Sequence, residues 1–152
     1  MIVLNRILVP HDFSDTSAVS VTYAVALARS FAAQLVFLFV GDRSDREAWA
    51  QAEEAAKERL LAVLAPADRA AVNAEFQVRA GSPETEIVRF ASENDIDLIV
   101  MGTHGRGFVG HIVMGSVAEK VVRTAPCPVL TVRNPGQAAQ GMDVLAEARA
   151  AV

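Results

Sequence analysis

Cysteine, lysine and excess positive charge are all scarce in this chain, and each scarcity excludes a class of function. The 152 residues include one cysteine, Cys127, which cannot form an internal disulfide. Set between Pro126 and Pro128, it reads as a small buried filler rather than a reactive thiol, in a chain suited to a reducing compartment. The only lysines are Lys57 and Lys120, and no Gly-Lys-Ser/Thr element of the phosphate-binding-loop enzymes occurs. The formal net charge is −4. That argues against sequence-independent nucleic-acid binding, which needs a basic surface to displace counterions. An uninterrupted apolar stretch is missing too: residues 18–40 are broken by Arg29, Ser30 and Gln34, short of the roughly 20 apolar residues of a membrane span. Residues 1–6 lack the basic region, apolar core and cleavage site of a secretory leader, so a cytoplasmic location away from membranes is expected. The three histidines, His11, His104 and His111, lack ligand spacing, and no Cys or acid completes a recognisable ligand set with them, which disfavours a zinc site. His104 and His111 are expected to flank a bound phosphate or face solvent.

What is present is 52% hydrophobic, enough for one domain with a sizeable core. Continuous Val, Ile, Leu or Phe character marks strands at Arg6 to Val9, Leu35 to Val40, Ala74 to Val78, Leu98 to Met101 and Val129 to Val132, each buried on both faces. Helical spacing follows the Ser14-Asp15-Thr16-Ser17 cluster. A second helix is expected from about Asp45 to Leu64, before Pro66. A third opens at Ser82-Pro83-Glu84 and closes at Asn94, and a fourth begins at Ser116. The βαβαβαβαβ order implies an α/β fold, a single doubly wound domain with a parallel sheet and helices on both faces. Such sheets take ligands outside the carboxyl ends of their strands.

One stretch at such an end carries the chemistry. Asp97-Leu98-Ile99-Val100-Met101 runs into Gly102-Thr103-His104-Gly105, then nine residues, then Gly115-Ser116 at a helix start. Glycines let backbone approach a phosphate chain closely, and the first amides of a helix are unpaired donors with partial positive charge. Ser116 has two readings: a hydroxyl offered to a phosphate, or the start of a capping box closed by Glu119. Asp12, at the end of the first strand, also has two: a carboxylate for ribose, adenine or a magnesium ion with phosphates, or a loop acid capping the first helix.

Residues 3–133 resemble the universal stress protein family. The resemblance is carried by Ile7-Leu8-Val9-Pro10-His11-Asp12-Phe13-Ser14, by Val100-Met101-Gly102-Thr103-His104-Gly105-Arg106-Gly107, and by Gly115-Ser116-Val117-Ala118-Glu119-Lys120-Val121 through Ala125-Pro126-Cys127-Pro128-Val129-Leu130. The spacing of Gly102, Gly105, Gly115 and Ser116 matches that of the family's ATP-binding members. The resemblance implies a Rossmann-like sheet of order 3-2-1-4-5. It implies ATP with magnesium bordered by Pro10 and Asp12, with Val40 on adenine and Met101 and Gly102 along the nucleotide's path. Gly105 and Gly115 would admit the phosphates, with Ser116 and Val117 binding them; Arg106, the one basic loop residue, joins these candidates. It further implies a homodimer through the last strand, Val129 to Val132. Phe108 departs from the pattern, standing where many relatives have glycine, and residues 134–152 extend past the common core as a short helix or a tail.

A nucleotide-binding, stress-linked regulator is therefore expected. Slow ATP hydrolysis, or self-phosphorylation on Ser116 or Thr103, is the alternative. Phosphoryl transfer requires positioned positive charge and an oriented nucleophile, and no catalytic residue is assigned. An interaction protein with a vestigial pocket is the third reading, disfavoured because every element of the glycine pattern is retained.

Overall fold

Ile7, Leu8 and Val9 are consecutive and all fully shielded from solvent, which an extended chain achieves only when both of its faces are covered. The computed structural model, which describes residues 1–44, 46–104 and 114–133, places them in β1 (Arg6–Pro10), the centre of a five-stranded sheet. The remaining elements are α1 (Asp15–Phe31), β2 (Gln34–Gly41), α2 (Arg46–Leu61), α3 (Pro66–Ala71), β3 (Glu75–Ala80), α4 (Pro83–Glu93), β4 (Leu98–Gly102), α5 (Ser116–Thr124) and β5 (Val129–Val132). All pairings are parallel and the order is β3-β2-β1-β4-β5, the order the family resemblance implies.

Alternation along the strands builds two separate cores. Ile7, Val9, Leu35 and Phe37 pack with Val21, Ala24 and Ala28 of α1 and Leu60 of α2. Leu8, Val36, Leu38, Ile99 and Met101 pack on the opposite face with Ile87 and Phe90 of α4 and Ala118 and Val121 of α5. Each such fully buried aliphatic side chain contributes roughly 1.5–3 kcal/mol. Cys127 packs on the rim of the second core; it is half-buried rather than buried, and desolvation, followed by Asp97, pushes its thiol pKa up.

Most differences from the sequence expectations lie at element ends. β3 begins at Glu75 and runs to Ala80 because it pairs residue by residue with β2, from Val36 with Glu75 to Gly41 with Ala80; its own half-buried residues do not set its limits. The second helix ends at Leu61, where the Val63 amide bonds back to Leu60. Pro66 does more than stop it: it occupies the first turn of α3, a position where its missing N–H is harmless. Ser82 sits at the N-cap of α4 as expected, yet its side chain makes no capping bond. The expected first residue of the second helix, Asp45, and the extension 134–152 lie outside the described residues.

Candidate functional site

From β1 the chain builds the sheet outward through β2 to β3, then crosses to β4 and β5 on the other side. β1 and β4 are thus neighbours whose connections leave in opposite directions, and the crevice above their carboxyl ends is the topological switch point. A cavity of about 500 Å³ opens there, within the roughly 300–1,000 Å³ typical of small-molecule sites. Pro10 and Asp12 from the end of β1, Val40 from β2, Met101 and Gly102 from β4, and Gly115, Ser116 and Val117 at the start of α5 all line it. Gly105 and Arg106 lie outside the described residues.

The loop that follows β4 is closed at its base. The Thr103 amide donates to the Val132 carbonyl at 2.9 Å, and the Thr103 carbonyl accepts from the Gly115 amide at 2.6 Å. Gly115 is the N-cap of α5, with φ −68° and ψ 158°. Its amide is therefore spent on the loop, and the donors that α5 presents to the cavity are those of Ser116, Val117 and Ala118. The capping-box reading of Ser116 does not hold: Ser116 is the first helical residue, no side chain caps the helix, and Glu119 pairs with Arg123 at 2.7 Å. Thr103, the other hydroxyl considered for self-phosphorylation, is 3% exposed, with its oxygen 3.0 Å from His104 Nδ1.

Glycine at 102 has a packing reason independent of any ligand. A Cβ there would lie 2.5 Å from Thr16 Cγ2 and 3.2 Å from the Thr16 backbone carbonyl carbon, so α1 rests directly on the end of β4.

The other wall is a network around Asp12. Its Oδ1 accepts from the Ser14 amide at 3.0 Å and from Ser17 Oγ at 2.6 Å. The helix cap itself is Ser14, whose hydroxyl accepts from the Ser17 amide. Asp12 thus orders the turn leading into α1 but does not cap it. His11 is 6% exposed, and its Nδ1 accepts from the Phe13 amide at 3.0 Å, which puts the ring proton on Nε2. Burial lowers the His11 pKa to about 4; Asp12 opposes that shift and Arg59 reinforces it. The imidazole is neutral near pH 7.

A stability prediction follows from His11. The unfolded chain takes up this proton near pH 6.5 and the folded chain near 4. Between these values the unfolded state binds more protons, so stability rises with pH across the window and is lost on acidification. From pH 7 to 4 the loss attributable to His11 is about 3 kcal/mol. Urea midpoints at several pH values should therefore fall less steeply in His11→Asn, which cannot titrate, and equal slopes in the two chains would contradict the burial argument.

Sequence reasoning missed part of the wall. In the sequence Leu38 and Phe39 read as strand residues and Ser17 as one member of a helix-start cluster, yet all three line the cavity. Pro83 and Ile87 line the cavity from α4. They stand far from any motif, and only the crossover from β3 to β4 brings them to the site. Among the described residues, no group of three His, Cys, Asp or Glu side chains could hold a metal ion, and no helix is long and apolar enough to cross a membrane.

These features define a doubly wound α/β domain with a cavity at its switch point. The model of the "Universal stress protein family" matches residues 4–133, and the chain belongs to that family. It is similar to a universal stress protein of Methanocaldococcus jannaschii, 36% identical over 140 residues covering 86% of this chain and 82% of that one. Among solved structures it resembles the universal stress protein UspA from Lactobacillus plantarum, with TM-score 0.72, 30% identity, and coverage of 88% of this chain and 100% of that one. It also resembles a universal stress protein in complex with cAMP, with TM-score 0.61, 27% identity, and coverage of 86% and 98%.

Proposed function

We propose that this protein binds an adenine nucleotide, ATP with magnesium, in the switch-point cavity and acts as a stress-response regulator rather than an efficient catalyst. The observation that carries the reading is the convergence of three first-turn amides of α5 and the ordered Asp12 loop on one cavity. The base would lie between Pro10, Leu38 and Val40, with Asp12 on the ribose. The amides of Ser116, Val117 and Ala118 would receive phosphate oxygens, and the Ser116 hydroxyl, unused in a capping box, adds a donor. Magnesium would be held by the phosphates and water, as is usual for this ion at nucleotide sites. The resemblance to a family member in complex with cAMP supports the adenine nucleotide. Pairing of two chains through β5 extends the reading, because β5 is a sheet edge that leaves Leu130 exposed, and an edge needs cover.

The test is direct. Denaturing the purified protein without added ligand and identifying released nucleotide by chromatography and mass spectrometry should recover an adenine nucleotide. Added ATP with magnesium should change the fluorescence of Trp49, the sole tryptophan, whose ring packs on Gly41, one residue beyond Val40. Intact ATP after hours supports a binding switch, and continuing release of ADP supports the slow hydrolase. No nucleotide and no titratable affinity would overturn the reading.

A further inference from the structure

We propose that His11 is a positioning residue of the nucleotide site: its imidazole Nδ1 holds Phe13 in a left-handed backbone conformation and so presents Asp12 to the ligand. The inference rests on the nucleotide reading above. Phe13 has φ 65°, a region that disfavours residues with a Cβ and that persists where surrounding structure over-determines it. The contacts that hold it are in place. His11 Nδ1 accepts its amide at 3.0 Å, the Arg59 guanidinium of α2 lies 3.9 Å over its ring, and the Phe39 ring packs at 5.1 Å.

The geometry repeats one step along the chain. His11 accepts the amide of residue 13 with its side chain, and Asp12 accepts the amide of residue 14 with Oδ1. Two successive turns are thus each closed by a side-chain acceptor two residues back, a pattern typical of Asn and Asp. The first turn fixes the direction in which the second leaves, and Ser17 Oγ then locks the carboxylate at 2.6 Å. Removing the first acceptor leaves the Phe13 amide without its bond and frees the backbone to leave the left-handed region. The Asp12 carboxylate would then sample orientations that no longer meet the ligand.

Asparagine places its Oδ1 where histidine has Nδ1, whereas the glutamine amide lies one atom further out. With ATP and magnesium as the probe, His11→Asn should bind within about threefold of wild type, while His11→Gln should lose roughly tenfold in affinity. With 2′,3′-dideoxy-ATP, whose sugar offers Asp12 no hydroxyl, the glutamine penalty should disappear. A role in folding alone would weaken both ligands alike, so an equal loss for both overturns the proposal, as does wild-type affinity in His11→Gln. If His11→Gln does not fold, the Phe13→Gly background supplies the test, since glycine takes φ 65° unaided. There the glutamine penalty should shrink below twofold, and an undiminished penalty overturns the proposal. A wild-type chain that binds no ATP removes the nucleotide reading itself, a separate outcome seen before any variant is made.

Discussion

Gly115→Val is expected to abolish nucleotide binding while leaving the fold in place. The backbone at Gly115, φ −68° and ψ 158°, is ordinary extended geometry that valine adopts freely. Its amide bond to the Thr103 carbonyl uses only backbone atoms and survives the change. Exchanging glycine, a favourable N-cap residue, for valine, an unfavourable one, costs about 1 kcal/mol. The new side chain, however, enters the cavity beside the amides of Ser116 and Val117, where phosphate oxygens would need to approach. Calorimetric titration with ATP and magnesium should show affinity reduced on the order of a hundredfold or more, with a melting temperature near that of wild type. Undiminished affinity would show that the phosphates lie elsewhere.

Gly102→Ala should produce the opposite signature. The added Cβ would meet Thr16 at 2.5 Å from Cγ2 and 3.0 Å from Cβ, with backbone carbon at 3.2 Å, and neither α1 nor β4 can yield cheaply because each is packed into the sheet. Overpacking of this kind costs roughly 1–3 kcal/mol, which denaturant unfolding should show as a clear drop in midpoint at constant slope. Thr16→Ser removes Cγ2, the nearest atom, and should restore part of the loss; the backbone contact at 3.2 Å keeps the rescue incomplete. Losses that simply add in the double variant would break the link between these two residues.

The two glycines belong to one sequence pattern, and the pattern alone could not separate them. Spacing marks Gly102 and Gly115 as equivalent loop residues; the path of α1 over β4 shows that the first makes room for a helix, whereas the second lines the cavity. The fold itself was legible, because strands such as Leu35 to Val40 carry unbroken apolar character that requires cover on both faces. The helices between them leave few arrangements of a parallel sheet. β3 was least legible, since Glu75, Gln77 and Arg79 break the apolar run and its extent is set by pairing with β2. Likewise, the Ser116 and Glu119 spacing suggested a capping box that the helix, starting one residue earlier than that motif needs, does not form. His11 gave no sign of its role, because a turn closed by an imidazole has no composition signal distinct from any histidine in a loop.

The two hydrogen bonds of Thr103 give the region a modular construction. With its amide anchored to Val132 and its carbonyl to the Gly115 amide, the ends of the intervening segment are pinned by contacts independent of what lies between them. That segment can be treated as a cassette: exchanging it for one of another length enters the stability of the domain mainly through closure entropy, about 0.6 kcal/mol for each doubling. Loop grafts between Thr103 and Gly115 are therefore expected to leave the stability of the scaffold nearly unchanged, which denaturant unfolding of the grafted chain checks.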